Sequence, residues 1–435
     1  MKSSFITFIR NYRFQLSLLC VSLGVAVFCS LNWNVGAQQD ARAAMKARRI
    51  QADNEMISTK SASETARVAP MPAAERARRE LANAPEGTVS CSLFNTLVYA
   101  YDFFDDHLYS FRASDPSTYI TNIQLTGLAA DEFLLGIDYR PSTGQIYAMG
   151  SNDLYSRIRV YLVNTTTGEL VPVGSPATPT TDLFYAVDFN PVADLIRVSG
   201  DADSNRRFNP GTGDLAGTDT TLAYVAGDPG AGVNPNVVHV AYSNNSVGAS
   251  STTLYGLDSN RDTLVTIGGL NGTPSPNTGL LTTVGPTGSN FTGFGGFDIQ
   301  PATNKAYASL RILGAATLHS INLTNGAATS LGAIGSNSPT IDGLTVMPCQ
   351  APVLVEVGGR VTNPDGYGVR GAIVTITDSQ NVTRRATTST FGYYSFPGVE
   401  AGGSYTIAVV PRRFTFSPQT VQVNGALTNV NFTAD

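Results

Sequence analysis

The 435-residue chain has little charge, little cysteine and little histidine. Charged residues make up 14% of it, and it holds four Cys, three His and one Trp. A helical bundle or coiled coil needs a far larger charged surface than this and is excluded. His107, His239 and His319 are followed by Leu-Tyr-Ser, Val-Ala-Tyr and Ser-Ile-Asn, so none begins a zinc-hydrolase motif. No Gly-x-Ser-x-Gly elbow and no phosphate-binding loop occurs either. What is abundant is 42 Gly, 20 Phe and 18 Tyr within a 42% hydrophobic chain. That balance predicts turn-rich, aromatic-rich β structure in two or three domains.

The scarce charge is unevenly distributed. Residues 1–37 contain Lys2, Arg10 and Arg13 and no acid, and a long apolar run ends near Val35-Gly36-Ala37. This pattern predicts a secretory signal peptide with the mature chain starting at Gln38. An uncleaved anchor is the other reading, since the run approaches spanning length and Arg42, Lys46, Arg48 and Arg49 follow it. Residues 38–88 are rich in Ala, Arg and Glu, lack aromatics and offer little apolar surface, so they are expected to form a flexible or helical stalk, a solvated spacer. A partner-binding helix at Glu75–Leu81 is the lesser expectation. Beyond them, residues 89–435 carry 16 basic against 26 acidic side chains. Such a surface repels phosphate backbones and anionic lipid, so no nucleic-acid partner and no membrane span after signal cleavage are expected.

The clearest signal is an internal repeat. LLGIDYRP (134–141), FYAVDFNP (184–191) and GGFDIQP (295–301) share an apolar residue, Asp, an apolar residue, any residue and Pro. VVHVAYSN (237–244) and TIDGLTVMP (340–348) fit the same spacing, with Ala241 and Thr345 in the Asp place. Each of the first four precedes a second strand (QIYAMG, DLIRVSG, TLYGLD, KAYASL), a third strand, an Asn/Gly turn (NTTTG, NPGTG, NTG, NLTNG) and a fourth strand. Four short antiparallel strands repeated five times predict a five-bladed β-propeller over residues 89–350. Residues 95–125 supply second to fourth strands with no first, while TIDGLTVMP is a first strand with nothing after it, so the two ends must complete one blade. Export would leave Cys91 and Cys349 as the mature thiols, placed where that blade lacks a covalent hairpin, and a disulfide between them would close the ring.

The run from Leu134 to Met347, carried by GIDYRPSTGQIYAMG, VDFNPVADLIRV, RRFNPGTGDL and GFDIQPATNKAYASL, resembles a family of secreted bacterial propeller-like domains of unknown function. The resemblance implies a fold and an extracellular or cell-surface address, with no catalytic residues. Residues 353–435 alternate Val, Ile, Tyr and Phe between Gly, Asp-Gly and Pro turns, which predicts a Greek-key β-sandwich of six or seven strands. GGRV, Gly366–Ala372 and Gly392–Phe396 resemble the carboxypeptidase regulatory-like, transthyretin-like module, an accessory domain that implies no peptidase activity. With no lysine, this segment cannot form a Lys–Asn isopeptide cross-link.

Three sets of residues invite a functional reading. Asp138, Asp188 and Asp298 occupy equivalent first-strand positions, where paired carboxylates could serve a propeller glycosidase or contact a ligand. Each shares a strand face with a small residue (Gly136, Ala186, Gly296), which favours a structural role accepting backbone hydrogen bonds from its own or the next blade. Asp201, Asp203 and Asn205 begin like a calcium loop but meet Arg206 where that loop needs Gly and Thr212 where it needs Glu. An ordinary turn is expected there, and calcium is the one cofactor left open. Tyr101, Phe103, Phe104, Tyr109 and Phe111 cluster around Asp105, Asp106 and His107, a composition suited to sugars or peptides and equally to a blade core. The expected protein is a non-enzymatic extracellular binding or structural module whose partner is a glycan or a protein. The competing readings are a carbohydrate-active hydrolase using the three Asp residues, and a calcium-dependent adhesin.

Overall fold

A computed structural model describes residues 26–61, 96–152, 157–177, 182–301, 303–348, 354–378, 382–410 and 414–435, with side chains of the N-terminal helix described from 42 to 60. The chain divides into two compact units, one built on Leu97–Phe111 and Asp115–Pro348 with the N-terminal helix, the other on Cys349–Asp435. Cys91, Cys349, residues 1–25 and the Glu75–Leu81 segment lie outside the described residues.

Among the described residues the first unit contains five sheets, antiparallel but for one short strand. Their first strands are Glu132–Arg140, Tyr185–Asn190, Val237–Tyr242, Gly295–Ile299 and Ile341–Val346. These are the five repeat segments read from the sequence. Each neighbours the next, and the last returns to the first, so the sheets form a propeller-like ring. Closure occurs as the orphan segments require: Ile341–Val346 pairs with Leu97–Asp102, Val98 opposite Val346, in a sheet completed by His107–Arg112 and Asp115–Gln124. Met347 N donates to Leu97 O at 2.9 Å, so Leu97 and Met347 stand at the same end of this sheet.

The Asn/Gly turns work as their residue types suggest. Asn164 Oδ1 accepts from Thr166 N and Thr167 N, and Asn209 Oδ1 from Gly211 N and Thr212 N. Gly168 and Gly213 then take φ of 79° and 75°, values that a side chain would strain. One sheet departs from the four-strand expectation. The insertion before Val237 returns Ala223–Tyr224 as a fifth strand, parallel to Leu280–Pro286.

The N-terminal helix, Ala26–Ser61, runs without a break across the expected 37/38 cleavage point. Over residues 42–60 it is not a solvated spacer. Met45, Arg49 and Asp53 are buried, and Arg42, Lys46, Met56 and Lys60 are partly so. These positions recur every three or four residues on one helical face. The stalk expectation counted apolar residues, whereas this face is buried mainly through cations and their partners. Among the described residues no helix is long and apolar enough to cross a membrane.

The second unit packs a three-stranded sheet containing Leu354–Thr362 and Tyr393–Glu400 on a four-stranded sheet containing Ile373–Asp378 and Gly403–Val409. Val357, Val361, Phe396 and Phe432 from one sheet meet Val374, Ile376, Ile407 and Val423 from the other in one core. The seven strands of this sandwich fall within the six or seven expected.

Where the five first strands converge there is little room. A Cβ added to Gly296 would stand 2.4 Å from Leu344 N, in the neighbouring strand. We therefore expect Gly296→Ala to destabilise the first unit by about 1–3 kcal/mol through overpacking. Thermal unfolding followed by circular dichroism checks this, and an unchanged melting temperature would show the strands to be less tightly convergent.

Candidate functional site

The axis of the ring presents two clusters, one at each end of the first strands. Toward their C-terminal ends stand Asp138, Asp188 and Asp298, all fully buried, with one oxygen from each lying within 4.8 Å of the others. Each carboxylate reaches the next strand. Asp138 Oδ2 accepts from Phe189 N at 2.7 Å, Asp188 Oδ1 from Tyr242 N at 3.1 Å, and Asp298 Oδ2 from Val346 N at 2.5 Å. Thr345, which stands in the Asp place, accepts from Tyr139 N at 2.9 Å. Four of the five strand junctions are thus clamped by equivalent atoms, as a structural role predicts. At the fifth, Ala241 has nothing to offer, and Ile299 N donates to Asp298 Oδ1 of its own strand.

Burial pushes the Asp138 and Asp188 carboxyls well above the ordinary carboxylate range, and the neighbouring carboxylates add to the shift. Burial also raises Asp298 to about 7, against hydrogen bonds from Val346, Thr345 and Ile299.

The other cluster is one that sequence reasoning did not find. Arg49 of the helix is fully buried at the mouth of the ring, its Nη1 and Nη2 bonded to Asp342 Oδ2 and Oδ1 at 2.5 and 2.9 Å. Its guanidinium lies over Phe103, Phe294 and Phe184 at 4.5, 4.8 and 5.0 Å from the ring centres. This pairs a bidentate carboxylate with several aromatic faces, the environment in which a buried guanidinium is best compensated. Burial raises Asp342 to about 7, and the Arg49 charge holds it down against that. Around this anchor Asp53 accepts from Arg311 Nε at 2.8 Å, Arg42 and Lys46 pair with Asp106, and Lys60 pairs with Asp262. Two signals were readable. Phe184 and Phe294 each stand four residues before the repeat Asp, and Arg42, Lys46, Arg49, Asp53 and Lys60 follow helical spacing.

Between the clusters the channel narrows to a void of about 10 Å³ lined by Gly136, Ala186, His239, Gly296 and Gly343, room for about one water. Burial pushes His239 down to about 3, so it is neutral.

The remaining candidates are engaged differently. Asp201 Oδ1 accepts from Leu183 N and Phe184 N, and Asn205 Oδ1 faces the Arg197 guanidinium at 2.6 Å, an arrangement that anchors a turn. Asp203 takes a φ of 65°. Of the aromatic cluster, Tyr101, Phe103, Tyr109 and Phe111 are core residues and Phe104 is exposed; Asp106 faces the helix.

Residues 107–345 match the model of the domain of unknown function DUF4394, over half the chain. The chain belongs to the DUF4394 family. Residues 356–435 of this DUF4394 protein match the carboxypeptidase regulatory-like domain. No curated protein matches the chain in sequence. Solved structures similar to it include a Lactobacillus plantarum protein (15% identity, 58% of this chain and 71% of that one, TM-score 0.32). TolB from Acinetobacter baumannii is another (14%, 73% and 67%, 0.32), as is Myxococcus xanthus glutaminyl cyclase (11%, 57% and 94%, 0.28). Likeness of this degree leaves the chemistry to be argued from the DUF4394 protein's own residues.

Replacing Arg49 by Ala leaves Asp342 buried without its partner, a change expected to cost about 3–5 kcal/mol. The double variant Arg49→Met/Asp342→Leu should recover most of that loss. Guanidinium denaturation of the three proteins measures both, and a single variant as stable as the wild type would deny the helix its anchoring role.

Proposed function

We propose that this DUF4394 protein is an exported, non-catalytic binding or structural protein, a five-bladed propeller followed by a regulatory-like sandwich, acting at or beyond the cell surface on a glycan or protein partner. One observation carries the non-catalytic reading: the three carboxylates best placed for chemistry are sealed inside and occupied in clamping adjacent strands. A glycosidase pair holds its carboxyl groups about 5–9.5 Å apart on either side of a bond that substrate must reach. Here one oxygen from each acid lies within 4.8 Å of the others and none is exposed.

Export fits the basic, apolar N-terminus, and cleavage after Ala37 would leave every described helix contact from Arg42 to Lys60 in place. The oxidising exterior is also where a Cys91–Cys349 bridge would persist, and closing so long a loop contributes on the order of 5 kcal/mol.

Secretion from a bacterial host tests the reading. The exported chain should begin at Gln38, its unreduced peptide map should contain one peptide linking Cys91 to Cys349, and a glycan and peptide array should return a ligand. The chain should show no turnover of a polysaccharide panel above that of an Asp138→Asn/Asp188→Asn/Asp298→Asn variant. Turnover that vanishes in a folded variant would replace this reading with a hydrolase, and two free thiols would remove the disulfide.

A further inference from the structure

The axial acids show more than strand clamping needs. A clamp takes one acceptor per junction, and Asp138, Asp188 and Thr345 each meet that need with a single oxygen. The remaining oxygens turn toward one another. Thr345 Oγ1 lies 2.9 Å from Asp138 Oδ1 and 3.0 Å from Asp298 Oδ2, yet a hydroxyl has one proton for two carboxylates. Asp188 Oδ2 is buried with no hydrogen-bond partner.

Beside them stands a side chain that the repeat does not explain. Asn245, in the loop after the strand that lacks an Asp, leans against Asp298. It is fully buried, its amide bears on the Asp298 carboxylate and favours the charged form, and its amide oxygen has no hydrogen-bond partner. Native interiors seldom leave such groups unmatched, and an ion is one of the few things that satisfies them. Among the described residues no lysine or arginine forms an ion pair with the three acids.

We propose that the DUF4394 ring carries a calcium site on its axis, formed by Asp138, Asp188 and Asp298 with Asn245 and Thr345 beside them. Oxygens within 4.8 Å of one another can all touch one ion, and an all-oxygen set of three carboxylates, a carboxamide and a hydroxyl suits a hard cation. Calcium accepts six to eight such ligands in flexible geometry at about 2.3–2.6 Å. Magnesium demands near-octahedral geometry at about 2.0–2.1 Å and usually keeps several waters, which suits a fully buried set of protein oxygens less well. The ion would compensate three buried carboxylates that converge on one point, joining the first strands across the junctions. The site is independent of the export reading and of the Asp201 turn.

The test uses the full chain, stripped of metal by a chelating resin. Elemental analysis after dialysis against calcium should give one ion per chain, and 1 mM calcium should raise the melting temperature at pH 7.5 by about 5 °C, with magnesium ineffective. Asn245→Ala should weaken calcium binding by about tenfold or more while the metal-free protein stays folded, as its circular dichroism spectrum would show. Asp203→Asn should bind as the wild type does.

A calcium-insensitive melting curve with no bound ion would overturn the proposal in favour of carboxyls sharing protons. Full calcium stoichiometry in folded Asp188→Asn, with unchanged affinity, would overturn it by placing the ion elsewhere.

Discussion

Five strands converging on one axis leave space for very little, and that shortage dictates most of what stands there. Small residues (Gly136, Ala186, Gly296, Gly343) occupy the narrowest level because a Cβ at Gly296 would press on the next strand's backbone. Neighbouring first strands of a propeller-like ring are not paired by a ladder, and at four of the five junctions another polar contact joins them. A short acceptor at the level of the repeat Asp supplies it by reaching the next backbone N–H. The repeat is therefore a consequence of geometry. Asp recurs because it is short and accepts strongly, and Thr345 can substitute because a hydroxyl also accepts.

The mouth of the ring is governed by a different balance. The helix has too few apolar residues to be held by hydrophobic burial alone, which is why its composition reads as a solvated stalk. It is held by an arginine placed where a carboxylate and several aromatic rings compensate the loss of water. A buried pair of this kind contributes little to net stability compared with a well-packed apolar contact, but it is strongly directional. That directionality fits a segment that must seat in one register, with Arg42, Lys46, Asp53 and Lys60 each meeting an oppositely charged partner in the register that pairs Arg49 with Asp342.

How much of this could be read in advance follows from sequence separation. The repeat strands, the Asn/Gly turns and the completion of one sheet by both ends were legible because each is written within a few residues or recurs at a fixed interval. The clamping role of the three acids was legible through the small residues two positions earlier. Arg49 was not, because its meaning lies in Phe103, Phe184, Phe294 and Asp342, residues from four separate segments that only the closed ring brings together. Asn245 was hidden in a similar way: it belongs to the one repeat that lacks an Asp, and nothing in SNNSVGASS distinguishes it from its loop neighbours.

The two ends of the axis cannot neutralise each other. Phe294 precedes Asp298 by four residues and Asp342 precedes Thr345 by three, so roughly 10–13 Å of strand at about 3.3 Å per residue separate the guanidinium's level from the acids. The space between is filled by small residues and by His239, which burial keeps neutral. Arg49 is already paired with its own carboxylate, and its charge acts on Asp342. The acids must therefore be compensated locally, by protons or by a cation. Protons would satisfy Thr345 and the carboxyl oxygens but would leave the buried amide oxygen of Asn245, as it is oriented, without a partner, and on that point the cation is the stronger account.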